Sequence, residues 1–119
     1  MSYRIVLLPG DGIGVEVTDA AVKVMKIVAE SFDISLEFKT ELIGGSSYEK
    51  NKTPLTDETI RVCYDADVVF LGAVGGPKWE SLPHNLKPEA ALLKIRKALG
   101  LYTNIRPAKV YEALIGSST

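Results

Sequence analysis

Two arginines, Arg96 and Arg106, stand ten positions apart in the stretch Leu92–Pro107 (LLKIRKALGLYTNIRP). A guanidinium is a planar fork that meets a carboxylate with two parallel hydrogen bonds. Two such forks on different elements fit a ligand carrying more than one carboxylate. At about 100° per residue, Glu89, Leu93 and Arg96 share one helix face, with Leu92 at its border. If this face meets a cleft, the leucines hold an apolar group while Arg96 holds a carboxylate. If it meets water, it is an ordinary solvated face with one stray leucine. Arg106 precedes Pro107, which restricts it to extended backbone and places its side chain with those of Asn104 and Ala108. Taken singly, Arg106 reads as a surface arginine.

Two glycine-rich loops are the other candidates for chemistry. Gly10-Asp11-Gly12-Ile13-Gly14 lacks the dinucleotide fingerprint, because the third glycine of G-x-G-x-x-G would fall at Val15. No Gly-Lys-Ser/Thr follows, so it is not a phosphate-cradling P-loop either. Taken alone, its glycines read first as serving a tight strand-to-helix turn. The second stretch, Gly72–Lys87 (GAVGGPKWESLPHNLK), carries Lys78, Trp79 and the only histidine, His84. Long connections inside compact domains are often functional. A binding loop and a structural Ω-type loop are equally consistent with it. Trp79 fits a stacking or an anchoring role, and His84 reads as a surface histidine.

The elements that must position these residues follow from hydrophobic pattern. Arg4–Leu8 and Asp67–Leu71 are short apolar runs, as expected of strands covered on both faces. Ser35–Phe38 predicts another strand. A helix follows Gly14, with Val17, Ala21, Val24 and Val28 forming the apolar face expected to pack. Gly44–Pro54 reads as loop with a short helical turn. Thr56 is a helix N-cap, followed by Asp57 and Glu58 in the first turn, and Leu55 and Ile60 have the spacing of a hydrophobic staple. That helix should reach about Ala66. Pro88 opens a further helix and Gly100 closes it, with Ala91, Ile95 and Ala98, extended by Leu92 and Leu99, on the packed side. Leu101–Tyr111 is expected to be extended, with Pro107 marking an edge or bulge. The alternation predicts an α/β fold: a parallel-rich βαβ sheet with flanking helices. Both glycine loops leave the carboxyl ends of strands and so belong on one rim, where such sheets bind ligands.

Composition narrows the classes. The 119 residues are 46% hydrophobic, as in a globular domain, and fourteen basic residues interleave with fifteen acidic ones. A net charge of −1 gives no electrostatic case for nucleic acid or a membrane surface. The single cysteine, Cys63, excludes a disulfide framework and reads as a buried structural thiol. No apolar run reaches membrane-spanning length and no signal-peptide pattern precedes the first strand, so a cytoplasmic protein is expected.

The segments LLPGDGIGVEV, LGAVGGPKWE and PEAALLKIRKALGLYTNIRPAKVY together resemble the β-decarboxylating dehydrogenases, over Arg4 to Thr119. The third segment resembles the isopropylmalate-specific branch. Isocitrate-specific relatives carry a serine-containing segment before the helix arginine, where this chain has Glu89-Ala90-Ala91-Leu92-Leu93. The resemblance implies an isopropylmalate dehydrogenase-like fold that is not a Rossmann fold, incomplete in these residues. It implies that Arg96 and Arg106 hold the malate carboxylates, that Leu92 and Leu93 contact the isopropyl group, and that Glu89 belongs to the substrate site as well as to the cofactor site. Ile13 would lie by NAD. Gly76, Pro77, Lys78, Trp79, Glu80, Ser81, Leu82, Pro83, His84, Asn85, Leu86, Lys87, Pro88 and Glu89 would line its site, with Glu89 near the nicotinamide. The one departure is Val15, where relatives usually carry proline.

The activity implied is oxidation of the substrate's C2 hydroxyl by NAD⁺ with loss of CO₂, giving 4-methyl-2-oxopentanoate, a leucine precursor. Mg²⁺ or Mn²⁺ would assist and the complete enzyme would be a homodimer. No catalytic residue and no metal ligand is expected within this chain; the third arginine, the proton-transfer residues, the metal aspartates and the adenine loop are expected beyond Thr119. Residues 1–100 would then be the start of the cofactor domain and 101–119 a strand entering a second domain, inactive in isolation. The alternatives are a sister enzyme acting on homoisocitrate, tartrate or D-malate, a non-catalytic nucleotide-binding module, and a ligand-free assembly unit.

Overall fold

The computed structural model describes residues 1–117; the last two positions of the segment 101–119 lie outside the described residues. Three strands, β1 (Ser2–Gly10), β2 (Ser35–Thr40) and β3 (Val68–Ala73), form one sheet in the order β2-β1-β3. Both pairings are parallel, with Ile5 opposite Phe38 on one side and Val68 on the other. The central strand is the most buried, from Ile5 at 6% exposure to Leu8 at 0%. This is the βαβ arrangement expected from the alternation of elements.

Side chains alternate across β1, which divides the packing in two. Val6 and Leu8 join Ile43, Leu55, Cys63, Ala91 and Ile95 in the core on one face. That side is closed by α3 (Asp57–Tyr64) and α4 (Pro88–Ala98). Thr56 caps α3 as expected: its hydroxyl accepts the Thr59 N–H at 3.1 Å. Leu55 is buried and Ile60 packs against the same core. Gly100, at φ +67°, ends α4 in the left-handed region that favours glycine. A short helix, α2 (Gly45–Asn51), supplies the helical turn expected between Gly44 and Pro54.

The other face is covered by α1 (Ile13–Ser31), but by a different side of that helix from the one expected. Gly14, Thr18 and Ala29 are buried, and Ala21, Val22 and Met25 half-buried. Val17, Val24 and Val28 are exposed. The small residues decide the rotation. A side chain at Gly14 would overlap the backbone of Pro9 and Ala73, and one at Gly72 would overlap Pro9 and lie 2.6 Å from the Thr18 hydroxyl. The helix therefore seats its Gly14–Thr18 edge on the sheet, and the valine stripe faces outward.

A second correction concerns Leu101–Tyr111. This segment pairs with no strand among the described residues, is exposed throughout, and leads to a short 3₁₀ turn at Glu112–Ser117. An extended segment becomes a strand only when a ladder partner satisfies its backbone, and Pro107 offers no N–H.

Candidate functional site

The turns after β1 and β3 meet at the carboxyl rim of the sheet, as the topology requires. Asp11 N–H donates to the Ala73 carbonyl at 2.7 Å. Beyond this junction, residues 74–87 form a loop with two 3₁₀ turns, Pro77–Trp79 and His84–Leu86, that ends at the N-terminus of α4.

This loop folds back on the rim through two close approaches at glycine. The Trp79 ring lies against Gly45, where a methyl group would overlap it. The Glu89 carboxylate lies against Gly75, where a methyl group would sit 2.5 Å from Oε1. Gly75 also has φ +110°, a conformation that L side chains rarely adopt. An ion pair between Lys78 and Glu49 fastens the loop to α2. Trp79 thus anchors the loop, one of the two roles its sequence position allowed.

The fold encloses a cleft of about 310 Å³ lined by Gly76, Trp79, Glu80, His84, Lys87 and Glu89. All six belong to the stretch expected to face the cofactor. Lys78 and Leu82 lie on the far side of Trp79, on a second cleft of about 430 Å³ shared with Tyr48, Glu49 and Lys52. Pro77, Ser81, Pro83 and Asn85 are exposed, Leu86 is half-buried, and Pro88 is buried at the start of α4. Ile13 opens α1, 61% exposed and outside both clefts. A further groove, lined in part by Arg4, Phe38 and Asp65, lies toward the amino ends of the strands and holds none of these residues.

The substrate candidates divide. On α4, Ala91 and Ile95 are buried and Leu92 and Arg96 half-buried, while Leu93 is 64% exposed and Glu89 is exposed at the cleft. Glu89, Leu93 and Arg96 lie on one side of α4, with Glu89 and Leu93 exposed and Arg96 half-buried. Arg106 is exposed, with its Nε donating to Asn104 Oδ1 at 3.4 Å. Neither Arg96 nor Arg106 lines any of the clefts named above, and the described residues do not bring the two arginines into a shared cavity.

Sequence reading passed over Asp11. Its side chain is buried at 4% exposure, and its carboxylate accepts three backbone N–H groups. Oδ2 takes those of Gly45 at 2.8 Å and Gly75 at 2.9 Å, and Oδ1 that of Ser46 at 2.7 Å. Such charge-assisted bonds are short and directional. The available signal was an acid embedded between glycines just after the apolar run Ile5–Leu8 of β1. Among the described residues there is no group of three or more His, Cys, Asp or Glu side chains that could hold a metal ion.

Residues 4–119 match the family model described as isocitrate/isopropylmalate dehydrogenase. The chain belongs to the isocitrate/isopropylmalate dehydrogenase family. It is 55% identical over 119 residues to a 3-isopropylmalate dehydrogenase of Chlorobium chlorochromatii (strain CaD3), covering 100% of this chain and 34% of that protein. It is 52% identical over 118 residues to the enzyme of the same name from Bacillus subtilis (strain 168), covering 99% and 32%. Among solved structures it is similar to a β-decarboxylating dehydrogenase from Thermococcus kodakarensis in its apo form. That match has a TM-score of 0.67 at 34% identity and covers 84% of this chain and 27% of the other. An isocitrate dehydrogenase from Methylococcus capsulatus gives 0.66 at 32% identity, with 84% and 26% covered. The chain spans about a third of the length of the curated relatives it matches. As a member of this dehydrogenase family it has the fold expected of it, a parallel sheet with flanking helices. No helix of the described residues is long and apolar enough to cross a membrane.

Proposed function

We propose that the polypeptide carrying this chain is an NAD-dependent 3-isopropylmalate dehydrogenase of leucine biosynthesis, acting in the cytoplasm as a homodimer. The observation that carries the reading is the cleft of Gly76, Trp79, Glu80, His84, Lys87 and Glu89 at the carboxyl rim, which ends at the start of α4, the helix that also carries Leu93 and Arg96. A planar ring with polar substituents fits walls made of an indole, a glycine backbone and a carboxylate. On this reading the nicotinamide end of NAD occupies that cleft beside Glu89. Leu92 and Leu93 hold the isopropyl group, and Arg96 orients one substrate carboxylate. Arg106 joins it when residues 101–111 take an extended place in the longer polypeptide.

NAD, lined by Gly76, Trp79 and Glu89, would supply the hydride acceptor, and Mg²⁺ or Mn²⁺, on ligands outside these residues, would supply a Lewis acid for the substrate oxygen. The residues of this chain contribute binding and orientation, which lower the barrier by pre-aligning the reacting atoms. Residues 1–100 belong to the cofactor domain, 101–119 lead into the second domain, and the 119 residues alone form no NADH. Support for the isopropylmalate branch comes from Leu92 and Leu93 beside Arg96, together with relatives of that name at 50% identity and above.

The test is a substrate profile of the polypeptide that carries this chain, with 3-isopropylmalate, homoisocitrate, tartrate and D-malate. We expect the highest kcat/KM with 3-isopropylmalate. A higher value with any of the others moves the protein to a sister enzyme. NAD⁺ binding without turnover of any of the four leaves a nucleotide-binding module.

A further inference from the structure

We propose that Asp11 is a positioning residue for this reaction, fixing the cofactor cleft through the backbone of Gly45 and Gly75. The kinetic part of this inference rests on the function proposed above; the geometric part does not. Asp11 lines neither cleft beside Trp79, so it has no direct hold on a ligand. Its carboxylate nevertheless ends on the two glycines that shape the cleft. Gly45 is the seat of the Trp79 ring, and Gly75 is the seat of the Glu89 carboxylate. One buried charge thereby sets the distance between the cleft's aromatic wall and its acidic wall. Its three N–H donors lie 34, 35 and 64 positions away along the chain, so no local turn substitutes for it.

The chemistry requires an acceptor at both oxygens. Asn at this position has nearly the same volume, but one end becomes an N–H₂ donor facing a backbone N–H. Either Ser46 or the Gly45–Gly75 pair then loses its acceptor, and a buried donor left without one is costly. A role limited to overall stability would lower the amount of active protein and leave the Michaelis constants of the folded fraction alone. A positioning role changes the constant for the cofactor selectively.

The experiment compares Asp11→Asn and Gly75→Ala in the polypeptide that carries this chain, reading KM for NAD⁺, KM for 3-isopropylmalate and kcat. Gly75→Ala leaves the Asp11 bonds to Gly45 and Ser46 in place, while it strains the backbone at φ +110° and crowds Glu89. We expect each variant to raise KM for NAD⁺ at least tenfold and KM for 3-isopropylmalate by less than twofold. The double variant should show less than the product of the two effects, because both act through Gly75. A folded Asp11→Asn with unchanged KM for NAD⁺ overturns the proposal. Should Asp11→Asn fail to fold, Gly75→Ala decides, and an unchanged KM for NAD⁺ there overturns it. Should the unsubstituted polypeptide bind no NAD⁺, the functional reading falls. Amide exchange at Gly75 then decides the tether: faster exchange in Asp11→Asn supports it, and equal rates overturn it.

Discussion

The Trp79 indole rests on Gly45, where the absence of a side chain lets the ring reach the backbone at the start of α2. This contact joins the loop after β3 to the loop after β2 and builds one wall of the cleft. Gly45→Ala puts a methyl group into the ring's seat, an overpacking that costs about 1–3 kcal/mol. Trp79 is the only tryptophan of the chain. Its fluorescence in the 119-residue chain should therefore move to the red in Gly45→Ala. An unchanged spectrum would show that the ring does not sit there.

The cap on α3 is a separate, local element of stability. Removing the Thr56 hydroxyl leaves the Thr59 N–H without its acceptor. Thr56→Ala should cost about 1 kcal/mol and lower Tm by roughly 4–8 °C for a domain of this size. Thermal unfolding followed by circular dichroism checks this, and Thr56→Ser should recover most of the loss.

Cys63 governs a pH effect. It is 2% exposed, and burial, followed by the nearby Glu41 carboxylate, pushes its thiol up to about 11 from 9.0. The native state thus keeps the proton that the unfolded chain releases above pH 9. Between these two values the unfolded state binds fewer protons, so stability falls as pH rises from about 9 to about 11. The loss approaches roughly 2–3 kcal/mol. Below pH 9 Cys63 contributes no slope. Denaturant titrations at pH 8, 9, 10 and 11, compared with Cys63→Ala, isolate this part; equal slopes in both proteins would contradict it.

Leu93 should set substrate choice. On the proposed reading, Leu93→Ser lowers kcat/KM for 3-isopropylmalate by about 10–100-fold, the range for altering one apolar contact. D-malate, which lacks the branched group, should be affected far less. Equal losses on both substrates would remove Leu93 from the specificity pocket.

What could be read from sequence follows from how local each signal is. Thr56, Pro88 and Gly100 are punctuation that acts within one turn, and the structure places all three as expected. The parallel order of the strands followed from their apolar runs, and the shared rim followed from that topology. The packed face of α1 was hidden because the helix carries a valine stripe beside a small-residue stripe. Its rotation is set by partners on β1 and β3, not by its own hydrophobicity. Asp11 was hidden for a related reason, since its acceptor role depends on donors from two distant loops. The expected strand at 101–111 reflected extended geometry before Pro107, without a partner for the ladder. Five of the six residues lining the cleft lie in a connection whose length and glycines already marked it, and the sixth, Glu89, opens α4.

The claim with the widest consequence is that Arg96 and Arg106 hold the two carboxylates of one substrate. The direct measurement is kcat/KM for 3-isopropylmalate in Arg96→Ala and Arg106→Ala of the polypeptide that carries this chain, alongside NAD⁺ affinity. Loss of a charge-assisted, two-pronged bond predicts a fall of about 10–100-fold or more in each variant, with NAD⁺ binding unchanged. Wild-type kcat/KM in both variants would contradict the account.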